Sequence, residues 1–182
     1  MTDTAPQTAA GKVLWHFTMS LDGFVAGPDH DMSWMTGFTF RPGLVGEYVR
    51  TTGAILGGRT GWDAAVDKAR PYGGAWEGPL FVLTSHPEDA TPAAGVTFLN
   101  CSAAEAVRVG LKAANGKNLE VFSPAIGKQL LEEGLIDEVD LHIAPVLLGD
   151  GIRLYDHPGA RPVRFAETSV LNVRYHPADL GG

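Results

Sequence analysis

The sequence predicts an α/β three-layer sandwich: a mixed sheet, mostly parallel early and antiparallel at its C-terminal end, with helices on both faces. Three observations predict it. The short apolar runs Val13–Met19, Ala54–Leu56, Leu80–Thr84 and Leu119–Phe122 have the length and the β-branched or aromatic content of buried strands. Helix starts alternate with them, signalled by Pro42, by the capping pattern Ser102-Ala103-Ala104-Glu105 and by Ser123-Pro124. A length of 182 residues with 19% charged side chains suits one packed core rather than several domains or a disordered polyelectrolyte.

Met1–Gly11 is small, polar and without period, which predicts a disordered tail ahead of a single domain over residues 12–182. Val13–Met19 is the first strand and stops at the turn Ser20-Leu21-Asp22-Gly23. Phe24–Arg41 keeps no period and carries Gly27, Pro28 and Gly37, so it reads as a long loop with a task of its own. Leu44, Val45, Tyr48 and Val49 have helical spacing within Pro42–Thr52. Ala54–Leu56 is a strand ending in Gly57-Gly58, and Arg59–Ala69 can be a helix closed by Arg70-Pro71. After a loop over Tyr72–Pro79 come strands at Leu80–Thr84 and Val96–Leu99, then a helix from Ser102 to about Asn115 ended by Gly116. Leu119–Phe122 leads into a helix that Gly134 stops. Val139, Leu141 and Ile143 alternate with polar residues as in a strand with one drier face, which puts His142 outward. Val163–Thr168 and Val170–His176 read as a closing antiparallel hairpin.

The formal charge of −7 arises from scattered single charges and offers no basic footprint, so nucleic acid and anionic membranes are not expected partners. Cys101 is the single cysteine, no secretory leader pattern opens the chain, and no apolar run is long enough to span a bilayer. These features predict a soluble protein in a reducing, cytoplasmic setting. The histidines have no pairwise ligand spacing, so no metal site is expected, and no nucleophile motif is present.

The chain has 23 glycines where average usage of about 7% would give roughly 13. They gather with other small residues at strand ends: Gly57-Gly58-Arg59-Thr60, Thr84-Ser85-His86-Pro87 and, with serine instead, Phe122-Ser123-Pro124. In open α/β sheets ligands bind outside the carboxyl ends of strands, where backbone amides at helix starts attract phosphates. A nucleotide cofactor fits this pattern; tight turns and caps with no ligand fit it as well. Arg59 offers a fork of donors for a terminal phosphate, and Thr60 and Ser85 offer hydroxyls.

Ser20-Leu21-Asp22-Gly23-Phe24-Val25-Ala26-Gly27, Ile55–Thr60, Phe81–Thr84 and Gly134–Gly151 together resemble the dihydrofolate reductase superfamily. More narrowly, they resemble its branch containing the reductase domain of riboflavin biosynthesis. The resemblance covers nearly the whole chain after the tail. It implies a dihydrofolate reductase-like fold with a central sheet of about eight strands, NADPH as hydride donor, a small-molecule substrate and commonly a homodimer. It also implies roles. Ala26 belongs to a loop that closes over nicotinamide and substrate, together with Met32 and Trp34. Gly58, Arg59 and Thr60 hold cofactor phosphates, Thr84, Ser85 and His86 stand beside the adenosine 2′-phosphate, and Ser123, Pro124, Ala125 and Ile126 form the turn under the pyrophosphate. Asp22 and Trp34 are the catalytic candidates, Asp22 to orient an amide or receive a substrate hydrogen bond, or else to form a turn with Gly23. His30 and Asp31 share the loop as candidate proton donors.

Two departures bear on function. An ungapped count from Gly27 past Trp34 puts Thr39 where dihydrofolate reductases carry a pterin-pairing carboxylate, which argues against dihydrofolate as the substrate. The family's close-approach glycine pair is replaced by Phe122-Ser123 or Ser123-Pro124, the latter either a cis turn or an ordinary trans cap, and Phe122 could crowd the pyrophosphate. The reading is therefore an NADPH-dependent reductase acting on a C=N or C=O bond of a small heterocyclic metabolite. Its alternatives are a non-catalytic nucleotide-binding protein of the same fold and a flavin- or deazaflavin-dependent reductase.

Overall fold

The computed structural model describes residues 5–65, 70–166, 170 and 173–177. Strands β1 (Val13–Ser20), β3 (Thr52–Gly58), β4 (Leu80–Leu83), β5 (Val96–Leu99), β6 (Asn118–Phe122) and β7 (Glu138–Ala144) form one sheet in the order β5-β4-β3-β6-β1-β7. Every pairing in it is parallel. The antiparallel component is a separate pair, β2 (Phe24–Ala26) with β8 (Ile152–Arg153), which the sequence did not signal because each is only two or three residues long. No strand occurs in 163–166 or 173–177, and the other residues of the expected closing hairpin lie outside the described set except Val170, which is not in a strand either.

Helices α1 (Leu44–Thr51), α2 (Arg59–Ala64), α3 (Ala103–Ala114) and α4 (Pro124–Glu132) complete the three layers. The alternation of strand side chains divides the interior in two. Val13 and Trp15 of β1, Ala54 and Leu56 of β3, Phe81 of β4, and Leu119 and Val121 of β6 pack against Ala103, Ala106 and Val107 of α3 and Ile126 and Leu130 of α4. Ile55, Leu80 and Val82 point the other way, onto Trp62 of α2 and Trp76. A parallel sheet covered on both faces explains why its strands read as apolar runs. Close approach of α4 depends on Gly127, where a Cβ would lie 2.0 Å from Nε1 of Trp15.

α3 starts as the capping pattern predicts, with Ser102 Oγ accepting the Glu105 amide at 3.2 Å. α2 is shorter than expected: Ala65 is already extended, and 66–69 lie outside the described residues. The segment expected as a disordered tail is attached to the body from Gln7 onward. The Gln7 amide donates to Glu47 at 2.5 Å, Asn118 Nδ2 donates to the Thr8 carbonyl at 2.8 Å, and Asn118 Oδ1 accepts the Ala10 amide at 3.1 Å. A buried asparagine on a central strand satisfies its amide on this backbone, which is why the polar segment does not detach.

Candidate functional site

A cleft of about 1720 Å³ opens at the carboxyl ends of β3, β4 and β6. All eleven residues expected at a cofactor line it: Ala26, Gly58, Arg59, Thr60, Thr84, Ser85, His86, Ser123, Pro124, Ala125 and Ile126. Local chemistry shapes each part. Gly58 ends β3 where a Cβ would meet Ser123 Oγ at 3.1 Å, so glycine lets two strand ends approach. Ser123 caps α4 by accepting the Ile126 amide at 3.3 Å, and the Gly127 amide bonds the Ser123 carbonyl at 2.9 Å. Pro124 has no N–H, which leaves the Ala125 amide as the open donor of that turn. The Ser123-Pro124 bond is trans, so the turn is an ordinary capped helix start.

Arg59 is engaged more fully than expected. Its Nε donates to Asp63 at 2.7 Å, and its two terminal nitrogens donate to the carbonyls of His86 and Asp89, each at 3.1 Å. It thereby ties α2 to the turn after β4, and the cleft wall there carries Asp63 and Asp89 beside Arg59 and His86. Phe122 lines the cleft, with its ring packed edge-on against His16 and Tyr72.

The two catalytic candidates are not among the cleft-lining residues. The Asp22 carboxylate accepts the Ser20 hydroxyl at 2.7 Å and the amides of Leu148 and Gly149 at 3.0 and 2.7 Å. These donors, Ser20 first, hold its pKa at about 2 against an ordinary 3.8. Asp22 is thus a latch between the turn after β1 and the segment after β7, reinforced by Arg153, which donates to the Asp22 carbonyl and lies over the Phe24 ring. Trp34 is half-buried within the long loop, and its buried indole N–H has no hydrogen-bond partner. Its neighbours Met32, Ser33 and Met35 do line the cleft, as do His30 and Asp31.

A second cavity, about 270 Å³, adjoins the cleft at Met35, which lines both. Its walls include Thr18, Phe38, Thr39, Phe40 and His142. Thr39 does lie here, with no carboxylate of its own, but carboxylates stand behind the wall. Glu47 of α1 is 4% exposed and pairs with Arg41, and Asp140 accepts the Tyr48 hydroxyl at 2.6 Å. His142 does not face outward as predicted: its Nε2 lies 2.9 Å from Nε2 of His16. Sequence reasoning missed this group, although a signal was present. His16 interrupts the apolar run of β1 and Glu120 that of β6, and an ionisable residue inside a buried strand requires a partner. Tyr48 and Tyr72 are among those partners, and burial drives both phenols far above their ordinary range.

This arrangement defines a class: a dihydrofolate reductase-like α/β sandwich with its cleft at the strand ends. The chain belongs to the RibD C-terminal domain family, whose model matches residues 11–176. An uncharacterised Bacillus subtilis (strain 168) protein, YwjB, is 27% identical over 148 residues, covering 79% of this chain and 82% of its own. Dihydrofolate reductase from Enterococcus faecalis, complexed with NADP(H) and RAB-propyl, has a similar fold, with a TM-score of 0.58 and 14% identity over 81% of this chain and 79% of that one. The Thermotoga maritima diaminohydroxyphosphoribosylaminopyrimidine deaminase/5-amino-6-(5-phosphoribosylamino)uracil reductase matches with a TM-score of 0.57 and 15% identity, covering 83% of this chain and 50% of that one.

Proposed function

We propose that this chain is an NADPH-dependent reductase that transfers hydride to a C=N or C=O bond of a small heterocyclic metabolite, with a riboflavin-pathway pyrimidine or a pterin as the first compounds to test. The observation that carries the reading is the convergence of four separate segments, around Ala26, Gly58–Thr60, Thr84–His86 and Ser123–Ile126, on one cleft. The residues present suit a dinucleotide. Gly58 admits close backbone approach, the Ala125 amide and the hydroxyls of Thr60, Thr84 and Ser85 are neutral donors, and Arg59 brings positive charge. When bound, NADPH supplies the hydride. The protein positions it, excludes water and provides a proton. Met32 and Met35 give the long loop an apolar surface toward the cleft, suited to covering a flat ring. The family and the NADP(H)-bound fold neighbour support the reading. Under it the protein works as a cytoplasmic homodimer, which sedimentation at micromolar concentration tests.

Titration with NADPH and with NADH, followed by tryptophan fluorescence, is the direct experiment. NADPH binds more tightly than NADH, and Arg59→Ala raises its Kd about tenfold, equivalent to ~1.4 kcal/mol. Absence of binding by either nucleotide overturns the reading. A second reading, a non-catalytic nucleotide-binding protein, is favoured by one observation: Phe122 stands at the cleft where a small residue was expected. Binding of NADPH without its oxidation across pterins, aminopyrimidines, imines and quinones supports that alternative. Binding of a flavin or deazaflavin in place of NADPH supports the flavin-type reductase.

A further inference from the structure

The sheet face opposite α3 and α4 holds a line of ionisable groups that end at the small cavity. Glu120, fully buried in β6, accepts the Tyr72 hydroxyl at 2.5 Å and the Thr52 hydroxyl, and faces His16 Nδ1 at 3.3 Å. His16, 7% exposed, turns its other ring nitrogen to His142 at 2.9 Å. The His16 ring is stacked on Tyr48 at 4.2 Å and flanked by Phe122 at 5.8 Å, which fixes its orientation. Two imidazole nitrogens facing at this distance share one proton. Two protons would collide, and none would oppose two lone pairs. His16 is the basic side chain beside the Glu120 carboxylate, 3.3 Å away, so the proton between the two imidazoles is held on the His16 side and His142 accepts from it. The surroundings agree. Burial first, and then the charge on His16, lower the His142 pKa; Arg41 lowers it further, and Asp140 and Glu47 oppose.

We infer that His142 delivers the proton of the reduction to a flat, neutral ring seated against Phe38 and Phe40, with His16 and Glu120 as the positioning pair behind it. The inference rests on the reductase reading and deepens it. The substrate carbon would accept hydride from a reduced nicotinamide, which would be left oxidised; the π pair of its C=N or C=O bond moves to the nitrogen or oxygen, and that atom takes the Nδ1 proton of His142 as His142 Nε2 takes the proton it shares with His16. Solvent then returns a proton to His142 Nδ1 and the shared proton moves back to His16, which restores the pair. Phe40 already lies edge-on to the His142 ring at 5.5 Å, and Thr18 and Thr39 offer hydroxyls for the rim of such a ring. Selection for planar heterocycles over aliphatic carbonyls follows from these walls.

Two measurements test it together. Imidazole nitrogen NMR of the protein without cofactor reads the histidine pair. His16 and His142 titrate as a coupled pair, and Glu120→Gln shifts that titration to lower pH. Turnover of NADPH with a panel of pterins, aminopyrimidines and imines reads the proton step. His142→Gln and His142→Asn each lower kcat about 100-fold, with the Kd for NADPH within twofold of wild type. Wild-type kcat falls as pH rises through the apparent pKa of the pair, and Glu120→Gln moves this limb downward with the NMR titration. Independent titration of the two histidines, or His142 variants that keep wild-type kcat and pH profile, overturns the inference and leaves the reductase reading intact. Failure of the wild type to bind NADPH, or to oxidise it with any compound of the panel, overturns both.

Discussion

Asp22 joins two chain segments that are far apart in sequence. Its carboxylate is saturated by Ser20, Leu148 and Gly149, so its charge serves the join between two chain segments. A carboxylate whose folded pKa is lowered contributes stability that is fully present above its ordinary pKa and lost as pH falls through the folded one. For Asp22 that window runs from 3.8 down to about 2. Wild-type protein therefore loses stability across this interval by urea unfolding, and Asp22→Asn, less stable than wild type at neutral pH, lacks that portion of the acid dependence. The fate of His142 was hidden, because alternation along one strand assigns a face without revealing what covers it. Here the cover is Tyr48 of α1, whose hydroxyl reaches Asp140 across the sheet face.

Among elements, the two serine-capped helices allow structure and ligand binding to be separated. Ser102 and Ser123 make the same cap bond, but only Ser123 lines the cleft. Each substitution by alanine lowers stability by about 1 kcal/mol in urea unfolding. On the proposed reductase reading, Ser123→Ala also weakens NADPH binding, and Ser102→Ala leaves it unchanged. α4 is further constrained by the indole of Trp15, 2% exposed and directly beneath Gly127. Gly127→Ala overpacks that contact and costs roughly 1–3 kcal/mol, read as a lower urea midpoint at unchanged slope. Both caps and the strands preceding these helices were legible in the sequence, since capping and apolar runs are local signals. β2 and β8 were not, because strands of three and two residues have no period to detect and their pairing joins segments far apart in sequence.

At the scale of the whole molecule, the cleft-lining residues were legible and the buried ionisable cluster was not. Turns such as Gly57-Gly58 and Ser123-Pro124 announce themselves by composition, and the topology brings them together at one sheet end. The ionisable cluster is different, since it assembles from β1, β3, β6, β7, α1 and Tyr72, each contributing one or two side chains that look unremarkable alone. In the core layer beneath α3 and α4, Leu56→Ala, at a fully buried position of β3, costs about 2–5 kcal/mol. A ligand that binds only the folded protein stabilises it by mass action. On the proposed reductase reading, NADPH at 100 times its Kd therefore adds about 2.7 kcal/mol, and thermal unfolding with and without nucleotide reads this directly.

The place of β1 in the sheet has a consequence for biosynthesis. It sits between β6 and β7, so both of its neighbours are made more than a hundred residues later, as the pairing of the Lys12 amide with Asn118, at a separation of 106, illustrates. At about 5–20 residues per second the ribosome leaves this apolar strand unpaired for roughly 5–20 s. During that time its two edges and the side chains of Leu14, Trp15 and Phe17 are open to other nascent chains. Aggregation during expression should therefore respond to chaperones that shield emerging segments, and polar substitution at Phe17, which is only partly buried in the finished protein, should reduce it.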